Sequence, residues 1–278
     1  MSHLRARFGA ALARFLASSR NFEVLESVPA NSNSTRVTDP ALLYVLDSSF
    51  NPPTLAHMQI VTSALQETPS VPFRVLLLLA TQNADKPSVP ASFEDRLVMM
   101  SLLAQDLRQE LTETLGEPPQ VDVGVIKKPY FVDKAAAIEE SRQYPASLEQ
   151  VHLIGYDTLI RIFNTKYYPP TYTLQPLEPF LSKHRLRVTM RPDDQWGGRE
   201  EQEQYLRDLA QGDRDHEGAN REWAQRIQLV PGKPQAGDLP ISSTRARQAA
   251  RAGDNRLRSL VSEGVGRYMM EQKLYREA

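Results

Sequence analysis

Six short apolar runs recur along the 278 residues of this chain, and stretches with helical periodicity separate most of them. This alternation constrains the fold more than any other feature, because it is the pattern of parallel strands joined by crossover helices. The runs are Leu42–Leu46, Phe73–Ala80, Val121–Ile126, Val151–Ile154, Leu186–Met190 and Ile227–Val230. Helices are predicted over Thr54–Gln66, Ser92–Leu115, Val132–Arg142, from Ile241 onward, and over Leu260–Tyr275. Ser92 suits an N-cap, with Glu94 and Asp95 in the first turn behind it. The most apolar segment, Val75–Ala80, is far too short to span a bilayer and reads as a buried strand. The expected class is α/β, a parallel sheet with helices on both faces.

Charge narrows the partners. With 33 basic and 34 acidic side chains the formal net charge is −1, so no basic excess points to a nucleic-acid backbone. No membrane partner is expected either. The chain has no cysteine, which excludes disulfides, thiolate metal sites and cysteine nucleophiles. At the N-terminus, Arg5, Arg7, Arg14 and Arg20 precede the first acidic residue, Glu23, and Leu4, Phe8, Leu12, Phe15 and Leu16 share a helical face. That composition is similar to a mitochondrial transit peptide. It equally describes an amphipathic helix packed on the body of the protein, which is the reading adopted. Residues 1–38 are therefore read as an N-terminal amphipathic helix extension and 39–278 as a single domain. A charged insertion near 191–222, containing Gly197-Gly198, is either a solvated helix with loops or a mobile insertion. A cytoplasmic or nuclear location is expected, with a mitochondrial one left open by the arginine-rich start.

Two segments concentrate chemistry. Ser49-Phe50-Asn51-Pro52-Pro53-Thr54-Leu55-Ala56-His57 follows the first predicted strand, where ligands bind in open α/β sheets. The prolines stiffen the turn, and the following helix offers unpaired N–H groups and a positive dipole end to an anion. Thr54 and His57 share a helix face, where an imidazole can hydrogen-bond a phosphate. Taken alone, such a histidine is more often structural. The second segment, Ile241-Ser242-Ser243-Thr244-Arg245-Ala246-Arg247, opens a helix with capping residues. It adds Arg247, whose planar fork suits phosphate oxygens; taken alone, it is a cap beside a solvated arginine.

In chain order, Ser49-Phe50-Asn51-Pro52 with Thr54-x-x-His57, then Gly155-x-Asp157, then Ile241-Ser242-Ser243-Thr244-x-x-Arg247 form a set. This set resembles the motifs of nicotinamide/nicotinate mononucleotide adenylyltransferases, within the HxGH nucleotidyltransferase superfamily. Phe93-Glu94-Asp95-Arg96 and the Val265–Tyr275 stretch are also similar to family segments. The resemblance spans roughly residues 40–275 and is thin over 181–225.

The resemblance implies a Rossmann-like nucleotidyltransferase fold and adenylyl transfer from ATP to nicotinamide or nicotinate mononucleotide, with Mg2+ accompanying the ATP phosphates. It implies that His57 stabilises the reacting α-phosphate, with Thr54 in place of the first histidine of HxGH. Ser243, Thr244, Arg245 and Arg247 would hold the β- and γ-phosphates, Arg247 also neutralising the departing pyrophosphate. Lys86, in the loop after the second strand, would contact a phosphate. Asp157, after Gly155, would take ribose hydroxyls, and Ser48, Ser49 and Phe50 would line the turn beside the nucleotides.

Departures from the family pattern are specific. Ser48 stands where the family has glycine, and Ala56 replaces the glycine of HxGH. Of the family's paired tryptophans near the pyridine ring, one falls on Tyr168 and the other has only Tyr130 or Phe131 as a stand-in. Alternatives are another HxGH transferase using CTP or phosphopantetheine, or a nucleotide-binding regulator without transfer activity. Nicotinamide-against-nicotinate preference and oligomeric state are not readable from the residues.

Overall fold

In the computed structural model, the residues described are 1–30, 39–67, 71–82, 91–115, 119–191, 196–232 and 241–276. The chain begins with helix α1 (Ser2–Ala17), strand β1 (Phe22–Val28), β2 (Leu42–Asp47) and α2 (Leu55–Leu65). It continues through β3 (Phe73–Ala80), α3 (Phe93–Leu115), β4 (Val121–Ile126), α4 (Phe131–Glu140) and β5 (Glu149–Gly155). Then come α5 (Tyr156–Ile162), α6 (Glu178–Leu181), β6 (Arg185–Thr189), α7 (Arg199–Gln211), β7 (Ile227–Val230), α8 (Ser243–Ala252) and α9 (Glu263–Glu271).

Among the described residues, seven strands form one sheet in the order β1-β4-β3-β2-β5-β6-β7. Strands β2 to β7 run parallel, and every side chain from Val75 to Ala80 in β3 is at most 5% exposed. A parallel strand covered on both faces needs such a continuous apolar run. Alternate side chains feed opposite layers. Leu42, Tyr44 and Leu46 pack with α1, α2, α3, α8 and α9, whereas Leu43 and Val45 pack toward α4. Beyond β5, the second layer continues under α5, α6 and α7.

All six expected strands are present. The seventh, β1, was not expected, and it pairs antiparallel with β4, with Phe22 opposite Ile126. Only Phe22 of β1 is fully buried, Glu23 and Glu26 interrupt its apolar pattern, and the register slips between Val24 and Glu26. An edge strand has one sheet neighbour, so little in its own sequence marks it. The last helix is also shorter than the expected Leu260–Tyr275. A 3-10 turn at Asn255–Ser259 precedes it, and α9 starts only after Ser262.

Helix α1 is part of the core. Phe8, Leu12 and Phe15 are 4% exposed or less, while Leu16, placed on the same face from sequence, is 50% exposed. Arg5 Nε donates to Asp95 Oδ1 at 2.7 Å, and the Tyr268 hydroxyl donates to the same oxygen at 2.8 Å. One α3 carboxylate thus ties both chain ends together. The charged stretch contains a formed helix, α7, which buries Leu209 and Gln202. Among the described residues, no helix is long and apolar enough to cross a membrane.

From β2 the chain winds through β3 to β4 on one side, and from β5 through β6 to β7 on the other. The winding direction reverses between β2 and β5, and a crevice opens there at the carboxyl ends of the strands. The β2–α2 turn and the Gly155-x-Asp157 segment both lie at that edge.

Candidate active site

The β2–α2 turn is built by the far end of the chain as much as by its own residues. Phe50 is fully buried with a φ of 45°, a left-handed conformation that costs a non-glycine residue about 1–2 kcal/mol. Long-range contacts hold the turn. Arg247 Nη1 donates to the Asn51 carbonyl at 2.8 Å, Ser243 Oγ donates to the Pro52 carbonyl at 2.8 Å, and the Tyr275 hydroxyl donates to Asn51 Oδ1 at 2.7 Å. The two segments singled out in the sequence therefore interlock. Arg247 Nη2 also donates to Thr244 Oγ1 at 3.2 Å. A guanidinium has five N–H donors, so this clasp leaves the fork with capacity for a ligand.

His57 sits at the third position of α2 and reaches back to cap it. The Thr54 amide donates to Nδ1 at 3.0 Å, so Nδ1 is unprotonated and the proton of the neutral ring lies on Nε2. Nε2 then donates to Ser48 Oγ, 3.0 Å away. The ring packs against Phe50, with centroids 5.2 Å apart, and burial pushes its pKa down to about 4. His57 is a neutral hydrogen-bond donor of fixed tautomer. The α2 terminus is less open than the sequence implied, because the Leu55 amide donates to the Leu260 carbonyl at 2.9 Å.

At the start of α8, Ser242 Oγ accepts from the Arg245 amide at 3.3 Å, so Ser242 is the cap. Ser243 bonds the Pro52 turn, and Thr244 is exposed beside Arg247. Lys86 lies outside the described residues.

Across the crevice, Gly155 is the N-cap of α5, and a Cβ built on it would lie 2.7 Å from Asp157 Oδ1. Glycine is required here so that the Asp157 carboxylate can fold back over the helix start. Asp157 Oδ1 is 3.2 Å from Arg191 Nη1, and Oδ2 is 3.8 Å from Arg161 Nη2.

Between these walls lies an open pocket lined by Asp47, Ser48 and Ser49 from the β2 exit, Tyr130, Phe131 and Lys134 around the α4 start, Arg161 in the last turn of α5, and Tyr168 beyond it. Tyr168 is 9% exposed, and its hydroxyl donates to the Ile162 carbonyl at 2.6 Å. Tyr130, at 39% exposure, is the aromatic side chain more open to the pocket. Lys134 forms an ion pair with Asp47 in the wall, with 10% and 13% of their side-chain surfaces exposed. Among the described residues, no three histidine or acidic side chains are grouped to hold a metal ion.

Residues 45–249 match the family model described as cytidylyltransferase-like. A Schizosaccharomyces pombe protein described as "Putative nicotinamide mononucleotide adenylyltransferase" is 37% identical over 212 residues, covering 76% of this chain and 77% of that protein. The chain belongs to the cytidylyltransferase-like nucleotidyltransferases, in the nicotinamide/nicotinate mononucleotide adenylyltransferase family. The fold has solved counterparts. Plasmodium falciparum nicotinic acid mononucleotide adenylyltransferase complexed with NaAD superposes with a TM-score of 0.52 at 13% identity, covering 84% of this chain and 97% of that one. The same enzyme complexed with APC gives 0.52 at 12% identity over the same shares.

Within this family member, sequence reasoning missed the Asp47–Lys134 pair and the arginines on either side of Asp157. Lys134 reads as an ordinary helix lysine, and only its placement opposite the β2 exit reveals the pairing. Arg191 was submerged in a charged stretch. For Asp47 a signal existed, since a lone acid closing an apolar strand at the switch edge has few bland roles.

Proposed function

We propose that this nucleotidyltransferase transfers the adenylyl group of ATP to a pyridine mononucleotide, forming the dinucleotide and pyrophosphate. The observation that carries the reading is the clasp of Ser243 and Arg247 onto the Asn51-Pro52 turn. It sets the α8 side chains read here as phosphate ligands beside the turn that leads into α2 and His57, at the topological switch point.

A phosphate oxygen of the mononucleotide attacks the α-phosphorus of ATP in line. A new P–O bond forms as the bond to the bridging oxygen breaks, and the electron pair leaves with pyrophosphate. No protein nucleophile is needed, because positioning and charge stabilisation suffice. His57 donates through Nε2–H to a non-bridging α-phosphate oxygen, Ser48 giving up its place as acceptor. Thr54 fixes the tautomer through its amide. Arg247, with Thr244, Arg245, Lys86 and the backbone amide of Ser243, whose hydroxyl is committed to the Pro52 carbonyl, binds the β- and γ-phosphates, and Arg247 offsets the charge that builds on the leaving group. Asp157 accepts from ribose hydroxyls. Ser48, Ser49 and Phe50 shape the turn under the nucleotides, and the pocket beside Tyr130 and Tyr168 takes the pyridine ring.

Mg2+ would be carried by the triphosphate and water rather than by protein side chains, and would supply charge neutralisation to the phosphates. That fits the donor set, since the nearby carboxylates of Asp47 and Asp157 are already paired with cations.

The test is product mass after incubation of ATP or CTP with nicotinamide mononucleotide, nicotinate mononucleotide and phosphopantetheine. The expected product is a dinucleotide from ATP and a pyridine mononucleotide. Product from CTP or phosphopantetheine alone, or ATP binding with no product from any acceptor, rejects the reading.

A further inference from the structure

Helix α7 exposes most of its charged residues but fully buries Gln202. A buried amide costs stability unless both of its ends are satisfied. Here both are. Gln202 Oε1 accepts from the Arg191 amide at 3.1 Å, and Nε2 donates to the Arg191 carbonyl at 2.8 Å and to the Gly197 carbonyl at 3.2 Å. Gly197 has a φ of +76°, a left-handed turn natural to glycine that leads the chain into α7.

The pattern is that of a strand neighbour. Met190 N–H still donates to the Val230 carbonyl at 2.9 Å, so the β6–β7 ladder reaches one residue short of Arg191. There the Gln202 amide, a donor and acceptor like a peptide group, takes over for both polar backbone groups of Arg191. The backbone so fixed carries the guanidinium that meets Asp157 Oδ1 at 3.2 Å, opposite Arg161 on Oδ2.

We propose that Gln202 is a positioning residue for nucleotide binding: it holds the backbone at Arg191 so that this arginine orients the Asp157 carboxylate at the switch-point crevice. The charged insertion thereby serves the site without touching a substrate. The inference rests on the reading of Asp157 as a nucleotide ligand made above. A carboxylate offers about four lone-pair sites, so the arginines fix its plane and leave acceptor capacity for hydroxyl groups.

The test measures KM for ATP and for the pyridine mononucleotide, kcat and melting temperature in the full-length protein. The variants are Asp157→Asn, Arg191→Ala, Gln202→Ala and the Arg191→Ala/Gln202→Ala double variant. Asp157→Asn identifies the Asp157-dependent substrate by raising its KM. Arg191→Ala and Gln202→Ala should each raise that same KM about three- to tenfold, toward the lower end of the roughly 2- to 150-fold effects of coupled neighbours, with kcat within about twofold. The double variant should raise it no further than the larger single effect, although Gln202→Ala alone lowers the melting temperature. A structural role would lower the melting temperature and leave KM unchanged.

Multiplying KM effects, or equal effects on both substrates, overturn the proposal. If Gln202→Ala does not fold, Arg191→Ala decides, since an unchanged KM for the Asp157-dependent substrate leaves Gln202 nothing to act through. If Asp157→Asn changes neither KM, the assignment of Asp157 fails and this proposal with it. If Asp157→Asn acts and the other two do not, only the positioning role falls.

Discussion

The guanidinium of Arg247 donates a hydrogen bond to the backbone carbonyl of Asn51, a residue 196 positions earlier in the chain. This bond makes Arg247 a support of the β2–α2 turn as well as a candidate triphosphate clamp, and the two roles separate experimentally. Arg247→Ala should raise KM for ATP about 10- to 100-fold, the loss of a charged hydrogen bond worth about 1.5–3 kcal/mol. The KM for the mononucleotide should move far less. Arg247→Lys keeps the charge but loses the fork, so it should recover only part of the loss. Equal weakening of both substrates would assign Arg247 to the turn alone.

His57 links catalysis to pH stability. Its folded-state pKa of about 4 lies below the unfolded value, so between about pH 6.5 and pH 4 the unfolded chain binds the extra proton. Stability from this group is fully present above about pH 6.5 and is lost as pH falls toward 4, by at most about 3 kcal/mol. His152 and His184 are also pushed down, chiefly by burial, and act in the same direction. Chemical denaturation of His57→Gln at pH 7.5 and 5 should show a shallower loss than wild type. An identical loss would mean that His57 is not held neutral in the folded state. His57→Ala should also lower kcat about 10²–10³-fold, the scale for removing one preorganised donor.

The aromatic residues of the pocket divide by exposure. Tyr168→Phe removes a buried hydroxyl from the Ile162 carbonyl and should cost about 1–3 kcal/mol of stability with little change in KM. Tyr130→Ala should raise the mononucleotide KM several-fold, since stacking on a ring is worth about 0.5–1.5 kcal/mol beyond burial. A Tyr168→Phe variant with raised mononucleotide KM and unchanged melting temperature would reverse this assignment.

The N-terminal helix should matter to the whole fold. Phe15 has no exposed surface, and truncating such a side chain typically costs about 3–5 kcal/mol. Phe15→Ala should therefore lower the melting temperature by many degrees. A variant melting within a degree or two of wild type would show that α1 is detachable from the core.

The sequence marked best what burial on two faces dictates. Val75–Ala80 could only be an interior strand, and β7 spans the same four residues in sequence and structure. It marked poorly what depends on a single neighbour. β1, with two glutamates and only Phe22 fully buried, reads as part of the N-terminal extension until β4 lies beside it. The site followed the same division. Thr54-x-x-His57 and Ser243-x-x-x-Arg247 were visible because each is local, whereas the Arg247–Asn51 and Lys134–Asp47 contacts bring distant segments together. The imidazole tautomer depends on the Thr54 amide and the Ser48 hydroxyl at once, a geometry that residue types alone do not specify. Gln202 was invisible for a simpler reason, since one buried amide in a charged helix has no pattern to betray it.

Adenylyl transfer is tested most directly by following the α-phosphorus. ATP labelled there is incubated with the protein, magnesium and each pyridine mononucleotide in turn, and the label is traced with the pyrophosphate released. The label should appear in a dinucleotide, one pyrophosphate released for each dinucleotide formed, and Arg247→Ala should slow both equally. Label confined to AMP or ADP, or phosphate released from the γ-position with no dinucleotide, would contradict the proposed reaction.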